Sequence, residues 1–201
     1  MEKIIGRDKI IEIGKLILPE FSIKQEDIGN YEKLYYYFTK NEIKCKEFGI
    51  DPNKFIWLFG KIGSGKTIAM KVFQDFCFYT QHLGNRRFSI YWFQKIRREY
   101  EDREKRKFIS ELYGYDAMKD ICFDEFLRNS NVKDFGNDEN ISQMLIDERY
   151  ECFTNHGYKT HITTNVSPSF AKDENLLDAR TLDRCMQMFN IIEWEGGTKR
   201  L

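Results

Sequence analysis

No stretch of this 201-residue sequence is apolar for the length a bilayer demands, and its first residues carry no signal-peptide core. A membrane-spanning helix is excluded on that pattern, and a cytoplasmic protein is expected. A charge imbalance is lacking too: 32 Lys and Arg face 32 Asp and Glu, a formal net charge of zero. No global basic excess marks the chain for nucleic acid, which leaves a local patch as the only route to that role. Histidine is scarce. His82, His156 and His161 show no ligand spacing and no Cys-x-x-Cys occurs, so zinc is not expected. The five cysteines, Cys45, Cys77, Cys122, Cys152 and Cys185, are odd in number and fall in segments that read as helix or strand. Buried, reduced thiols are the expectation. Internal repeats and low-complexity linkers are missing. Aromatic residues, by contrast, make up 15% of the chain, which argues against disorder. The length suits one domain able to bury a real core.

The chain is organised around residues 55–67, Phe-Ile-Trp-Leu-Phe-Gly-Lys-Ile-Gly-Ser-Gly-Lys-Thr. Phe55 to Phe59 is too short and too rich in β-formers for a helix, and reads as a buried strand. Gly60, four residues, and Gly65-Lys66-Thr67 then make the phosphate-loop pattern. Gly60, Gly63 and Gly65 let several backbone N–H groups converge on one anion. A helix starting near Lys66 adds unpaired donors and a partial positive charge. Lys61, Ile62, Ser64 and Ile68 complete the nucleotide cradle. Lys66 is placed to reach the β- and γ-phosphates of ATP, and the Thr67 hydroxyl to sit on Mg²⁺. Ile68, Ala69, Val72, Phe73 and Phe76 recur at helical spacing after the loop. Strand, loop and helix together separate a nucleotide site from a plain glycine turn.

Residues 1–28 carry apolar side chains without a clean period, and Pro19 breaks whatever precedes it. They are set apart as an N-terminal arm, with residues 29–201 as the ATPase domain. Asn30 to Phe48 reads as one helix with Tyr31, Leu34, Tyr35, Phe38 and Ile43 on one side. Gly84-Asn85 marks a stop, and Phe88 to Phe93 reads as a second strand. Gln94 to Tyr113 is strongly charged, with Lys95, Arg97, Arg98, Arg103, Lys105, Arg106 and Lys107 interleaved with acids. It reads as a solvated helix laced with i,i+4 pairs, or as a contact for single-stranded DNA. Ile121-Cys-Phe-Asp-Glu125 is a short apolar run ending in two acids. Asp124 is the candidate for Mg²⁺ and Glu125 for polarising the attacking water. Asp134 to Glu139 reads as a polar loop, and Asn140 to His156 as a helix closed by Gly157. His161 to Asn165 reads as a strand whose terminal Asn165 amide can hold water or the γ-phosphate from the far side. Leu176 to Met188 reads as a helix with Arg180 and Arg184 on one face. Phe189 to Trp194 reads as the last strand, followed by a short tail through Arg200, and no helical lid domain is expected.

The set resembles a family. Gly60 to Thr67, Asp124-Glu125 and Thr163-Thr164-Asn165 look like the Walker A, Walker B and sensor-1 elements of AAA+ ATPases. Ile146-Asp-Glu-Arg-Tyr150, followed by a strand ending in Thr-Asn, is similar to a signature of DnaC-type replicative helicase loaders and IstB-type transposition ATPases. Ala179-Arg-Thr-Leu-Asp-Arg184 is similar to a segment near their C-termini. The chain departs from them at Thr164, usually Ser, and at Glu125, commonly Asp. The resemblance implies a three-layer α/β P-loop NTPase of AAA+ type, with a five-stranded parallel sheet in the order 5-1-4-3-2. It implies an ATPase that assembles as a homo-oligomer with ATP at the subunit interface. Arg184 matches the arginine finger, with Arg180 next and Arg149 a further residue for action across a subunit boundary. The implied partners are a replicative helicase or a transposase, and single-stranded DNA. A small-molecule P-loop kinase and a non-hydrolysing nucleotide-binding scaffold are the readings from other classes.

Overall fold

Brief runs of apolar and β-branched residues become strands here, and the longer amphipathic stretches between them become helices. The computed structural model describes residues 2–80, 87–128, 130–134 and 137–197. Its elements in chain order are α1 Glu2–Ile17, α2 Ile28–Phe38, α3 Glu42–Glu47, β1 Phe55–Phe59, α4 Lys66–Tyr79, β2 Phe88–Trp92, α5 Phe93–Glu101, α6 Arg103–Arg106, α7 Ile109–Tyr113 and β3 Asp120–Asp124. There follow β4 Asn131–Asp134, β5 Asn137–Asn140, α8 Ile141–His156, β6 Thr160–Thr164, α9 Pro168–Asp173, α10 Ala179–Met188 and β7 Phe189–Glu193. The Gly84-Asn85 stop and Arg200 lie outside the described residues. Among the described residues no helix is long and apolar enough to cross a membrane.

Five strands form one parallel sheet in the order β2-β3-β6-β1-β7. Numbered by themselves, the five strands run 5-1-4-3-2, as the resemblance implies. β6 is central, with Trp57 of β1 and Phe123 of β3 both in register with Ile162. β3 and β6 are buried along their whole length, which explains why they read as unbroken runs instead of alternating ones.

Contacts divide the chain into two units. The first comprises Met1–Asn53, Gly60–Phe88 and Ile192–Leu201. In it α1 and α2 pack on α4. Its core is aromatic: Tyr31 meets Phe21, Phe73 and Trp194, and Phe38 stacks on Phe73 and Phe88. The α1 helix approaches closely through its glycines. A Cβ at Gly6 would meet the Tyr35 ring at 2.4 Å, and one at Gly14 the Phe21 ring at 2.1 Å. The second unit comprises Lys54–Phe59 and Ser89–Ile191, with a core that includes Phe55, Trp57, Phe93, Phe123, Leu145 and Ile162.

Several boundaries differ from the sequence reading, each for a local reason. The helix read over 30–48 is two helices. Lys40 takes a left-handed φ of 52°, and the Asn41 side chain accepts the Lys44 N–H to start α3. The register shift turns Ile43 outward, to 75% exposure. The charged stretch 94–113 is three helices, because the Asp102 carboxylate accepts the Glu104 N–H and begins a new one. Where a polar loop is read over 134–139, β4 and β5 pair as antiparallel strands, Asn131 opposite Asn140 and Asp134 opposite Asn137. Val132 of β4 is buried, and the Tyr100 hydroxyl donates to Glu139 at 2.5 Å. Ser167 and Pro168 start a helix, α9, that propensity alone did not reveal. All five cysteines are buried and in no disulfide, and burial pushes the Cys185 thiol up to about 12.

Arg149 cannot act across a subunit boundary. Its side chain is fully buried and donates to the carbonyls of Gly114, Ala117, Lys119 and Lys159, to the Thr160 hydroxyl and to the Cys152 sulfur. It ties the middle of α8 to the segment before β3 and to the start of β6. A guanidinium spent on four carbonyls has no reach left for a neighbour.

Another buried polar group gives a measurable consequence. His161 on β6 is enclosed, and its Nδ1 accepts the Ile56 N–H at 3.1 Å. Burial drives its pKa down to about 3. The folded imidazole therefore stays neutral where the unfolded one binds a proton. Its contribution is complete above pH about 6.5 and declines by about 1.4 kcal/mol per pH unit as pH falls toward 3. Urea unfolding at pH 7.5 and 5.0 should show this fall, shallower in His161→Asn. Equal pH dependence in the two proteins would contradict it.

Candidate nucleotide site

The phosphate loop leaves β1 at Gly60. That residue has φ 151°, and a Cβ there would meet the Trp194 carbonyl oxygen at 2.3 Å. Glycine is required at this point by space as well as by φ. Gly65, φ 106°, turns the chain into α4, and no side chain caps that helix. Its N-terminus carries the partial positive charge that favours an anion. Lys66 is buried and its ammonium donates to the carbonyls of Gly60 at 2.7 Å and Lys61 at 2.9 Å, and to Ser64 Oγ at 3.3 Å. The loop is closed on its own lysine. Lys61 and Ile62 are exposed, while Gly63, Thr67 and Ile68 are half-buried.

In the second unit, β3 ends in Asp124. Its Oδ1 accepts the Thr163 hydroxyl at 2.6 Å, and the same hydroxyl accepts the Glu125 N–H at 3.3 Å. The next turn is pinned to β6 by Phe126 N–H to the Thr163 carbonyl, 2.8 Å, and by the Thr164 hydroxyl to the Phe126 carbonyl, 2.6 Å. Glu125 sits at φ 56° and Leu127 at φ 65°, conformations that cost a non-glycine residue about 1 kcal/mol or more. The Glu125 Oε2 accepts Trp92 Nε1–H at 3.2 Å and an Arg128 N–H at 2.8 Å. Asn165, read as the last residue of its strand, lies just past the end of β6 and is exposed.

Arg184 and Arg180 differ in their surroundings. Arg184 is 14% exposed, donates to Asp147 at 2.5 Å and lies 4.7 Å above the Tyr150 ring. Arg180, one turn earlier, is exposed. Asp178 caps their helix by accepting the Thr181 N–H at 2.7 Å.

Sequence reasoning brought out Asp124, Glu125 and the loop, but not the neighbours that hold them. Thr163 bridges both carboxylate positions, Trp92 and Arg128 hold Glu125, and Asp147 holds Arg184. Arg128 follows Glu125 by one helical step and Trp92 ends the strand beside β3, so both signals were present once a strand order was assumed. The expected i,i+4 pairing of the charged stretch is seen in Lys95–Glu99 and Arg97–Glu101, while Lys105–Asp102 and Lys107–Glu104 pair three residues apart.

The Thr163 bridge can be tested. Thr163→Val keeps the shape, removes the donor to Asp124 and leaves the Glu125 N–H without its acceptor. A loss of about 1–3 kcal/mol in unfolding free energy is expected from urea titration. An unchanged midpoint would show that the bridge contributes nothing.

No family model and no curated protein sequence matches this chain. Solved structures do. A protein of Streptococcus pyogenes serotype M3, provisionally described as a primosome component, matches with TM-score 0.58 and 13% identity, covering 91% of this chain and 87% of that one. AMPPCP-bound DnaA of Aquifex aeolicus matches with TM-score 0.56 and 14% identity, covering 88% of this chain and 49% of that one. The replication initiator DnaA bound to AMPPCP and single-stranded DNA matches with TM-score 0.55 and 13% identity, over 88% of this chain and 48% of that one. This chain spans about half the length of the DnaA proteins. At these identities the likeness is one of fold alone: an α/β chain with a five-stranded parallel sheet, shared with these structures.

Proposed function

We propose that this chain is an ATP-binding and ATP-hydrolysing protein of DNA replication, working as a helicase loader does, in the cytoplasm. The observation that carries the reading is the phosphate loop closed on Lys66, ahead of an uncapped helix. Triphosphate oxygens are better partners for an ammonium than two carbonyls, and the partial positive charge at the N-terminus of α4 favours the negative charge they bring. The DnaA structures bind AMPPCP, and one binds single-stranded DNA, which supports a nucleotide-driven role on DNA.

The residues have assigned parts. Gly60 to Ile68 cradle the phosphates, with Lys66 turning from its carbonyls to the β- and γ-phosphates. Thr67 and Asp124 offer the hard oxygen ligands that Mg²⁺ takes, and would hold it. The bound ion neutralises phosphate charge. Glu125 orients the water for in-line attack on the γ-phosphate and accepts its proton. Asn165 holds the water or the γ-phosphate from the opposite side. Arg184, or the exposed Arg180, reaches a neighbouring copy's γ-phosphate in a homo-oligomer. Arg184 has to exchange Asp147 for that phosphate, so assembly and finger placement are linked. The partner is a replicative helicase, with a transposase the alternative, and single-stranded DNA is the polymer it works on.

Phosphate release measured against protein concentration tests this. Specific activity should rise with concentration. Glu125→Gln should bind ATP and turn it over at least about tenfold more slowly. Loss of the finger costs on the order of 10³-fold, so Arg184→Ala or Arg180→Ala should bind ATP yet be inactive. Mixing the inactive finger variant with Lys66→Ala should restore some activity, because one whole site forms between the two chains. Concentration-independent activity without rescue would show a site complete in one chain and contradict the assembling reading.

A further inference from the structure

Helix α1 is pressed onto its surroundings at two glycines, Gly6 against the Tyr35 ring and Gly14 against the Phe21 ring. Glycine inside a helix is unfavourable, so the sequence gives up helix stability for this approach. The contacts do not close the space beside α1. From Gly6 to Ile11 the helix lines a cavity of about 450 Å³, completed by Ile23 and by α2. The cavity lies wholly within the first unit, and no residue of the phosphate loop, Gly60 to Ile68, lines it.

Its walls are largely apolar and already in place. Ile10, Ile11, Ile23 and Ile28 supply the aliphatic part. Tyr31, Tyr35 and Tyr36 supply three rings, each backed by another aromatic. Tyr31 packs edge-on against Trp194 at 5.3 Å, Tyr35 against Phe76 at 5.8 Å, and Tyr36 stacks on Phe48 at 5.6 Å. The charged residues of the lining are Arg7 and Asp8 of α1 and Glu32 of α2, two carboxylates to one guanidinium. From these walls and charges we propose that the cavity is a binding site for a small organic cation, an ammonium group on a compact apolar or aromatic body.

Size, polarity and charge select the ligand in turn. The volume falls in the range of small-molecule sites, and rings held from behind make a preformed wall. An empty apolar cavity forfeits dispersion contacts on every side, which a fitting apolar body restores. Water is a poor substitute, because isoleucine side chains offer it no hydrogen bonds. The sign of the charge follows from the aromatic and acidic residues together. A tyrosine ring attracts a cation over its face. Glu32 is half-buried whereas Arg7 is exposed, so the charge in the less solvated part of the site is a carboxylate, where its attraction for a cation is stronger. Asp8 adds a second carboxylate from the facing helix. A fatty acid or a nucleotide brings the opposite charge and does not fit.

The test uses the whole chain with its isoleucine methyl groups labelled for NMR. Three probes share a phenyl ring and differ in charge: benzyltrimethylammonium, phenylethanol and phenylpropionate. Benzyltrimethylammonium should shift the methyl signals of Ile10, Ile11, Ile23 and Ile28 and leave those of Ile121 and Ile162 in the sheet unmoved. It should bind at least about threefold more tightly than the alcohol, as for one cation–π contact, and phenylpropionate should bind more weakly than either. Glu32→Gln and Asp8→Asn should each reduce the preference for the cation over the alcohol. Ile11→Trp fills the cavity and should abolish binding of all three probes in a chain whose unfolding temperature is not lowered. Should that variant fail to fold, the two carboxylate variants decide the matter alone. ATP should not displace the cation, and Lys66→Ala should bind it as the wild type does. Absent shifts, shifts confined to other isoleucines, equal affinity for the cation and the alcohol, or a preference untouched in both carboxylate variants would overturn the cation site. Displacement by ATP would overturn it as a separate site and assign the cavity to the nucleotide.

Discussion

Two hydroxyls at the end of the central strand, Thr163 and Thr164, fix the geometry at the carboxyl end of this sheet. Thr163 donates to Asp124 and receives the Glu125 N–H, and Thr164 donates to the Phe126 carbonyl. β6 is buried along its length and paired on both sides, so these groups are anchored as firmly as any in the chain. The two left-handed residues that follow β3 are conformations of about 1–3 kcal/mol each, and the hydrogen bonds, worth about 1 kcal/mol apiece, offset much of that. The turn separates two acids adjacent in sequence. Asp124 is held inward by a hydroxyl, and Glu125 reaches an indole and a guanidinium. Neighbouring carboxylates can serve different chemistry only when their surroundings differ in this way.

The phosphate loop depends on a different constraint, close approach. The Trp194 carbonyl occupies the space a side chain at residue 60 would need. Trp194 in turn packs edge-on against Tyr31, which meets Phe73 of α4. Rings hold α2, α4 and the segment after β7 together, and α1 comes close enough to join them through Gly6 and Gly14.

Elements that depend on local chemistry were legible in the sequence. A buried strand, a glycine loop and an amphipathic helix announce themselves by residue type, and the paired acids at 124–125 follow from the same logic. The helix breaks at Lys40 and Asp102 were not legible, because each is decided by one side chain capping the next helix against a continuing charged or apolar pattern. The pairing of β4 with β5 was missed for lack of apolar alternation; among the described residues of these strands Val132 is the buried apolar one, and Glu139 accepts from the Tyr100 hydroxyl. Arg149 shows the limit of motif transfer. Its neighbours in sequence suggested an interface residue, and only the fold reveals four carbonyls converging on it. Long-range partners such as Asp147 for Arg184 are likewise invisible until helices α8 and α10 are packed.

Everything proposed about catalysis presupposes that the closed loop opens for a triphosphate. Isothermal calorimetry of ATP with the wild-type chain and Lys66→Ala measures this directly. The substitution removes the phosphate-facing cation and should weaken binding by roughly 2–3 kcal/mol, as for a hydrogen bond to a charged group, in a protein that remains folded. Equal affinity in the two folded proteins would contradict the assignment of residues 60–67 as the nucleotide site.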